Sequence, residues 1–153
     1  MYFIFVALFL FVLPIISVLA EALLRGGGAD HVLLIGKWFV FWGVGLRLFI
    51  AGLRQTVRPQ FTAESIFQVK DRGALAIVRE IGFANLSMGT LGLLTLPKPD
   101  FLIAAAIVGG LYYGLAGAGH AVRRDKNASE WTALVTDLFM FLLLAAFLGA
   151  RGF

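Results

Sequence analysis

The chain has 153 residues, 60% hydrophobic and only 14% charged, with 15 Phe, no Cys and a mean hydropathy of +0.91. Soluble domains carry roughly 45–50% apolar and about 25% charged residues, and a fold this small could not cover so much apolar surface with so little charge. Disorder, collagen and disulfide scaffolds are excluded on the same figures, which leaves an all-α integral membrane protein in one domain, 1–153.

A hydrocarbon layer of about 30 Å calls for about 20 apolar residues per helix, and five segments supply them. Residues 2–24 are almost pure Phe, Leu, Val and Ile until Glu21. Ala20-Glu21-Ala22 resembles a signal-peptidase site, but the run lacks a basic start and is too long for a signal core, so it reads as a span. Pro14 falls mid-span and is expected to kink it. Gly26-Gly27-Gly28 ends this helix. Span two, 32–53, contains Lys37 and Arg47. The longest loop follows, 54–72, where 62–69 is expected to form a short interfacial helix resting Ile66, Phe67 and Val69 on the bilayer. Span three, 73–96, carries Arg79 and Glu80 near its start. The turn Leu96-Pro97-Lys98-Pro99-Asp100 is tight, so spans three and four are expected to be antiparallel neighbours. Span four, 101–122, has no Asp, Glu, Lys or Arg, and span five, 131–150, has only Asp137. The expected architecture is a bundle of five transmembrane helices: a core of spans two to five plus the N-terminal helix.

The net charge of +4 does not signal nucleic acid. The basic residues border apolar runs, as the positive-inside bias requires. Arg54, Arg58, Lys70, Arg72, Arg123, Arg124 and Lys126 flank one face, against Arg25, Lys37, Lys98 and Arg151 on the other. The count places the N-terminus in the cytoplasm. The lipid bilayer is then its first partner. Asn127-Ala128-Ser129 matches a glycosylation sequon but lies on the inner face, so it carries no weight.

Ionisable residues inside spans are costly and usually face the bundle interior in pairs. Arg47, Glu80 and Asp137 each lie six or seven residues from the end of their span on the basic face, about 9–10 Å deep at 1.5 Å per residue. His120 lies nearer the surface on that face. One expectation is structural: the Arg47 guanidinium serves both carboxylates and fixes packing. The other is functional: two carboxylates sharing one cation leave one able to exchange protons, with His120 as relay or, more simply, as a cap on the carbonyls ending span four. No metal or nucleophile motif accompanies these groups, so no catalytic residue and no metal site is expected.

Small residues mark packing faces. Ala106, Gly110, Gly114 and Ala118 recur every four residues in span four; Gly82, Asn85, Gly89 and Gly92 share one side of span three. These two faces are expected to pack together, with a homodimer seam as the alternative. Trp38, Trp42, Trp131, Tyr112 and Tyr113 read as interfacial anchors or packing groups.

The stretch Arg79-Glu80-Ile81-Gly82-Phe83-Ala84-Asn85-Leu86, with Gly89, resembles the E-x-G-x-A-N-L-x-x-G core of a family of small uncharacterised prokaryotic membrane proteins. Gly117-Ala118-Gly119-His120, with Asn127 and Asp137, is similar to that family's second block. More distantly the pattern is similar to DoxX-like four-helix membrane proteins. Ile77-Val78 and Arg54-Gln55 depart from the family pattern. The resemblance implies a place in the inner (plasma) membrane of a prokaryote, and that Glu80, Asn85, His120 and Asp137 form one site. With Arg47, this site is expected to bind or translocate a small solute or proton. The DoxX-like likeness implies instead a bound quinone or lipid in a redox subunit. A scaffold without ligand is the third reading.

Overall fold

The computed structural model describes residues 2–153. Among these, five long helices dominate: α1 Tyr2–Arg25, α2 His31–Val57, α3 Arg72–Leu94, α4 Phe101–Val122 and α5 Ala128–Ala150. Four of them (α1, α2, α4 and α5) are long and apolar enough to cross a membrane. The 23-residue α3 has the length, but Arg79, Glu80, Asn85, Ser87 and Thr90 dilute its apolar character.

Helix ends follow local chemistry. Asp30 caps α2, its Oδ1 accepting the Leu33 amide at 2.9 Å and its Oδ2 meeting Arg151 at 2.8 Å. That amide first, and then the guanidinium, hold the Asp30 carboxyl below its usual range. Asp71 caps α3 through the Gly73 amide, and Asn127 caps α5 through the Glu130 amide. In α1 a π-helical turn, Leu8–Val12, leads into Pro14, which cannot donate to the helical ladder. At the far end Glu21 gathers Arg25, Lys37 and the Trp38 indole.

Helix α2 is central, and its glycines let the other helices approach. Gly36 faces the Phe147 ring of α5, Gly43 meets Met140 of α5 and Leu10 of α1, and Val44 fills the surface of Gly109 on α4. On its remaining side α2 lies backbone to backbone with α3. A Cβ on Gly45 would stand 2.9 Å from the Gly92 carbonyl carbon, one on Gly52 would stand 2.7 Å from the Gly82 oxygen, and Gly89 abuts Phe49. In lipid, where apolar attraction between helices vanishes, such close approach supplies dispersion energy instead.

Two packing expectations are therefore corrected. The glycine face of α3 sits on α2, not on α4, because α2 offers matching glycines. The face of α4 sits on α5, where Gly114 meets Phe141 and Gly117 meets Leu138. Ala118 is exposed. A strict four-residue repeat drifts about 40° per step around a helix, so after three steps from Ala106 the stripe has left the interface. The buried face runs through Gly110, Tyr113, Gly117 and His120 instead.

The same contacts fix the outcome of adding a single methyl group at Gly110. A Cβ on Gly110 would stand 3.5 Å from the Leu144 Cβ, an ordinary contact. Gly110→Ala is expected to stabilise the protein by about 0.5–1 kcal/mol, the usual gain on removing a mid-helix glycine, as read from a denaturation midpoint in detergent.

Candidate functional site

At the end of the bundle where α2 and α4 finish, a cavity of about 650 Å³ opens among α1, α2, α3, α4, α5 and the 58–71 loop. Its floor is polar. The Arg47 Nη2 lies 3.3 Å from the Asp137 Oδ1, and both side chains are buried. A π-helical stretch of α2, Val40–Leu46, ends on Arg47, whose amide donates to the Trp42 carbonyl five residues back. The Gly43 carbonyl in that stretch accepts from the Tyr113 hydroxyl at 2.5 Å, and the guanidinium lies over the Tyr113 ring, 5.1 Å from its centroid. Beside this pair the Asn85 amide nitrogen donates to the Gln55 Oε1 at 2.7 Å. Arg47 stands ten residues from the end of α2 and Asp137 nine from the start of α5, about 14–15 Å from the helix ends. Both helices extend beyond their apolar runs, so the pair lies farther from the helix ends than from the ends of those runs.

Two floor atoms are left over. Among the described residues three buried side-chain atoms have no hydrogen-bond partner: the Arg47 Nη1 and the Asn85 Oδ1 here, and the Thr56 Oγ1 outside the cavity lining. Arg47 is 8% and Asn85 1% exposed, and both line the cavity. A buried unpaired polar atom costs about 1–3 kcal/mol, so these two atoms call for partners.

Glu80 does not join this site. It is exposed and lies outside the cavity lining. Glu80 lies about 140° around α3 from Asn85, on the side away from α2. The Gly52–Gly82 and Gly45–Gly92 register also carries the first turns of α3 past the end of α2, so that Val57 falls beside residues 78–80. Glu80 and Arg79 therefore lie at the end of the bundle, where their charge is cheap. The Arg47 fork serves Asp137 alone.

His120 lines the cavity higher up. Its Nδ1 lies 3.4 Å from the Glu130 Oε1, and its ring stacks on Phe67. It does not cap α4. Glu130, wholly buried, also meets the Arg123 Nε at 3.2 Å and accepts from the Gln68 amide at 3.1 Å. Arg123 in turn donates to the Phe67 carbonyl, and Asn127 to the Ser65 carbonyl. These bonds fasten the 58–71 loop across the cavity. The expected short helix forms over Thr62–Ile66, with π-helical winding, and its Ile66, with Phe67 beyond it, lines the cavity. Sequence reading passed over Glu130 because it precedes the apolar run of α5. Its signal was the cap spacing Asn127-x-x-Glu130. Gln55 and Tyr2 were likewise missed, and no pattern marks them.

The latch has a measurable consequence. Glu130→Gln leaves Arg123 and His120 facing a neutral amide, and should lower stability by about 1–3 kcal/mol. Limited trypsin digestion at Lys70 should accelerate several-fold as the loop opens more often. Unchanged cleavage would mean that the loop is held elsewhere.

A model of a family of unknown function, DUF6790, matches residues 4–151. The chain belongs to that family. The match spans all five helices and the loop that closes the cavity, so the DUF6790 unit is the whole bundle. No curated protein and no solved structure matches the chain, and DUF6790 brings no assigned chemistry. Among the described residues, no three His, Asp or Glu side chains come together as ligands for a metal ion.

Proposed function

We propose that all five helices cross the bilayer, with the N-terminus in the cytoplasm, and that the bundle binds a small molecule in the cavity over Arg47, Asp137, Asn85 and Gln55. The observation that carries this reading is the pair of unpartnered floor atoms, one donor and one acceptor, buried at the base of a cavity of ligand size. Structural glue would consume its own hydrogen bonds, and half of this layer does not. The length of α3, 23 residues, supports a fifth span. The seven basic residues on the cavity end support its cytoplasmic orientation.

Asp137 cancels the Arg47 charge, so the floor offers hydrogen bonds and no net charge. Such a site holds a ligand by its polar group and lets the walls, among them Phe5, Val6, Leu48 and Ile81, take up the rest. A quinone remains the second reading. Its carbonyls would satisfy Arg47 but could not donate to Asn85.

The test is small-molecule mass spectrometry on protein purified from membranes. The wild type should carry one compound in near-stoichiometric amount, and the double variant Gln55→Leu/Asn85→Leu should lose it. Removing both amides together is expected to cost less than about 1 kcal/mol, so loss of ligand will not reflect unfolding. Identical extracts from the two proteins, holding bulk phospholipid alone, would end this proposal.

A further inference from the structure

The cavity has a second opening. Ile81 and Asn85 of α3 face Tyr112, Leu115, Ala116 and Gly119 of α4 across it. These two helices each pack mainly on another partner, α3 on α2 and α4 on α5. Leu115 lines the cavity while remaining 74% exposed, so one cavity wall is continuous with the outer surface of the bundle. At Gly119 a Cβ would meet no atom within 4 Å. On the loop side, by contrast, the Glu130 network straps Phe67 against His120. The 58–71 loop is strapped over the cavity by side-chain bonds, and the α3–α4 side carries no such strap among the described residues.

Charge narrows the ligand further. The floor lies about 9 Å inside the apolar runs of α2 and α5, within a hydrocarbon layer about 30 Å thick. A charged group arriving there through lipid would bear the cost of burial in hydrocarbon and find no net charge to meet it, since Arg47 and Asp137 neutralise each other at 3.3 Å. Arg54 and Arg123 also line the cavity, towards its water end: Arg54 stacks on Phe61 and stands seven residues, about 10 Å, from the level of Arg47, and Arg123 is paired with Glu130. The two unpartnered atoms ask for one acceptor and one donor. A hydroxyl or carboxamide supplies both without charge.

Resting on the reading of the cavity as a binding site, we infer that its ligand is a lipid-dissolved amphiphile with an uncharged hydroxyl or carboxamide head, which passes sideways between α3 and α4. The head lies on Arg47 and Asn85, and the chain leaves past Leu115 and Gly119 towards lipid.

The full-length protein in lipid nanodiscs would be titrated with dodecanamide, dodecanesulfonate and dodecyltrimethylammonium, and read by native mass spectrometry. Dodecanamide should bind one per chain, and the two permanently charged probes at least tenfold more weakly. Gly119→Leu should weaken the amide at least tenfold with an unchanged melting temperature, since the added side chain enters open space. Equal binding of a charged probe, or undiminished amide binding by Gly119→Leu, would overturn the inference. If no probe binds while the wild type still carries a water-soluble compound lost in Gln55→Leu/Asn85→Leu, the lipid class falls and the binding site stands. If neither probe nor bound compound depends on those two amides, both fall.

Discussion

Asp137→Ala should lower stability by about 3–5 kcal/mol, the usual cost of stranding one member of a buried ion pair. Arg47 is buried and cannot shed its proton, and Asp137 is the carboxylate within ion-pair distance of it. Truncation leaves a guanidinium against Tyr113 and the cavity with no counter-charge. The double variant Arg47→Met/Asp137→Leu should recover most of that loss, because a charge pair replaced by apolar groups of similar volume is often neutral in stability. Denaturation by graded detergent would give both values. The double variant also separates two roles: it should fold like the wild type and carry none of the molecule that the wild type retains. A loss below about 1 kcal/mol in Asp137→Ala would show that water reaches Arg47 freely, contrary to its burial. Retention of the bound molecule by the double variant would show that the pair serves packing alone.

Gly92→Val is expected to cost about 3 kcal/mol, at the upper end of ordinary overpacking. A Cβ there would stand 2.5 Å from the Gly45 nitrogen and 2.6 Å from its Cα. Both are backbone atoms, so no side chain can turn aside and α3 must move off α2. That movement carries Asn85 away from Gln55, so ligand retention should fall with stability. Gly110→Ala and Gly119→Leu, on the same bundle, should show neither loss of stability, because their added atoms meet ordinary contact or open space. A Gly92→Val protein with a wild-type melting curve would mean that α2 and α3 do not touch along this line.

The contrast between these glycines explains part of what reading the chain missed. The stripes of α3 and α4 were visible as repeats, but a repeat names a face and not its partner. Gly36, Gly43, Gly45 and Gly52 of α2 were equally present in the sequence, and they decide the arrangement. They lie on different sides of one helix, since α2 touches all four others, so they form no single stripe for the eye to find. The short turn at residues 96–100 joins α3 to α4 without making them principal partners, because a two-helix connection constrains ends and not faces.

The buried layer divides in the same way. That Arg47, Asn85, His120 and Asp137 would face inward followed from the cost of polar groups in an apolar helix, and all four line the cavity. Glu80 obeyed the same rule of cost by another route, emerging at the end of α3. Its depth had been counted from the start of an apolar run, while the Gly82–Gly52 contact shows that α3 begins beyond the end of α2. Glu130 erred in the opposite sense: outside every apolar run, it is wholly buried by the loop that it fastens.

Composition and the lengths of the apolar runs determined that this chain is helical and built of segments apolar enough for a membrane, because transfer of apolar surface is a sum over residues and needs no coordinates. The small-residue repeat added the face that α3 turns inward and the first half of that of α4. Which helices touch, how deep each charge lies and which hydrogen-bonding atoms are left over the cavity belong to the tertiary structure. Those properties depend on the register and the pairing of helix faces, and both are fixed by contacts between residues far apart in sequence: Gly45 with Gly92, Arg47 with Asp137, Gln55 with Asn85.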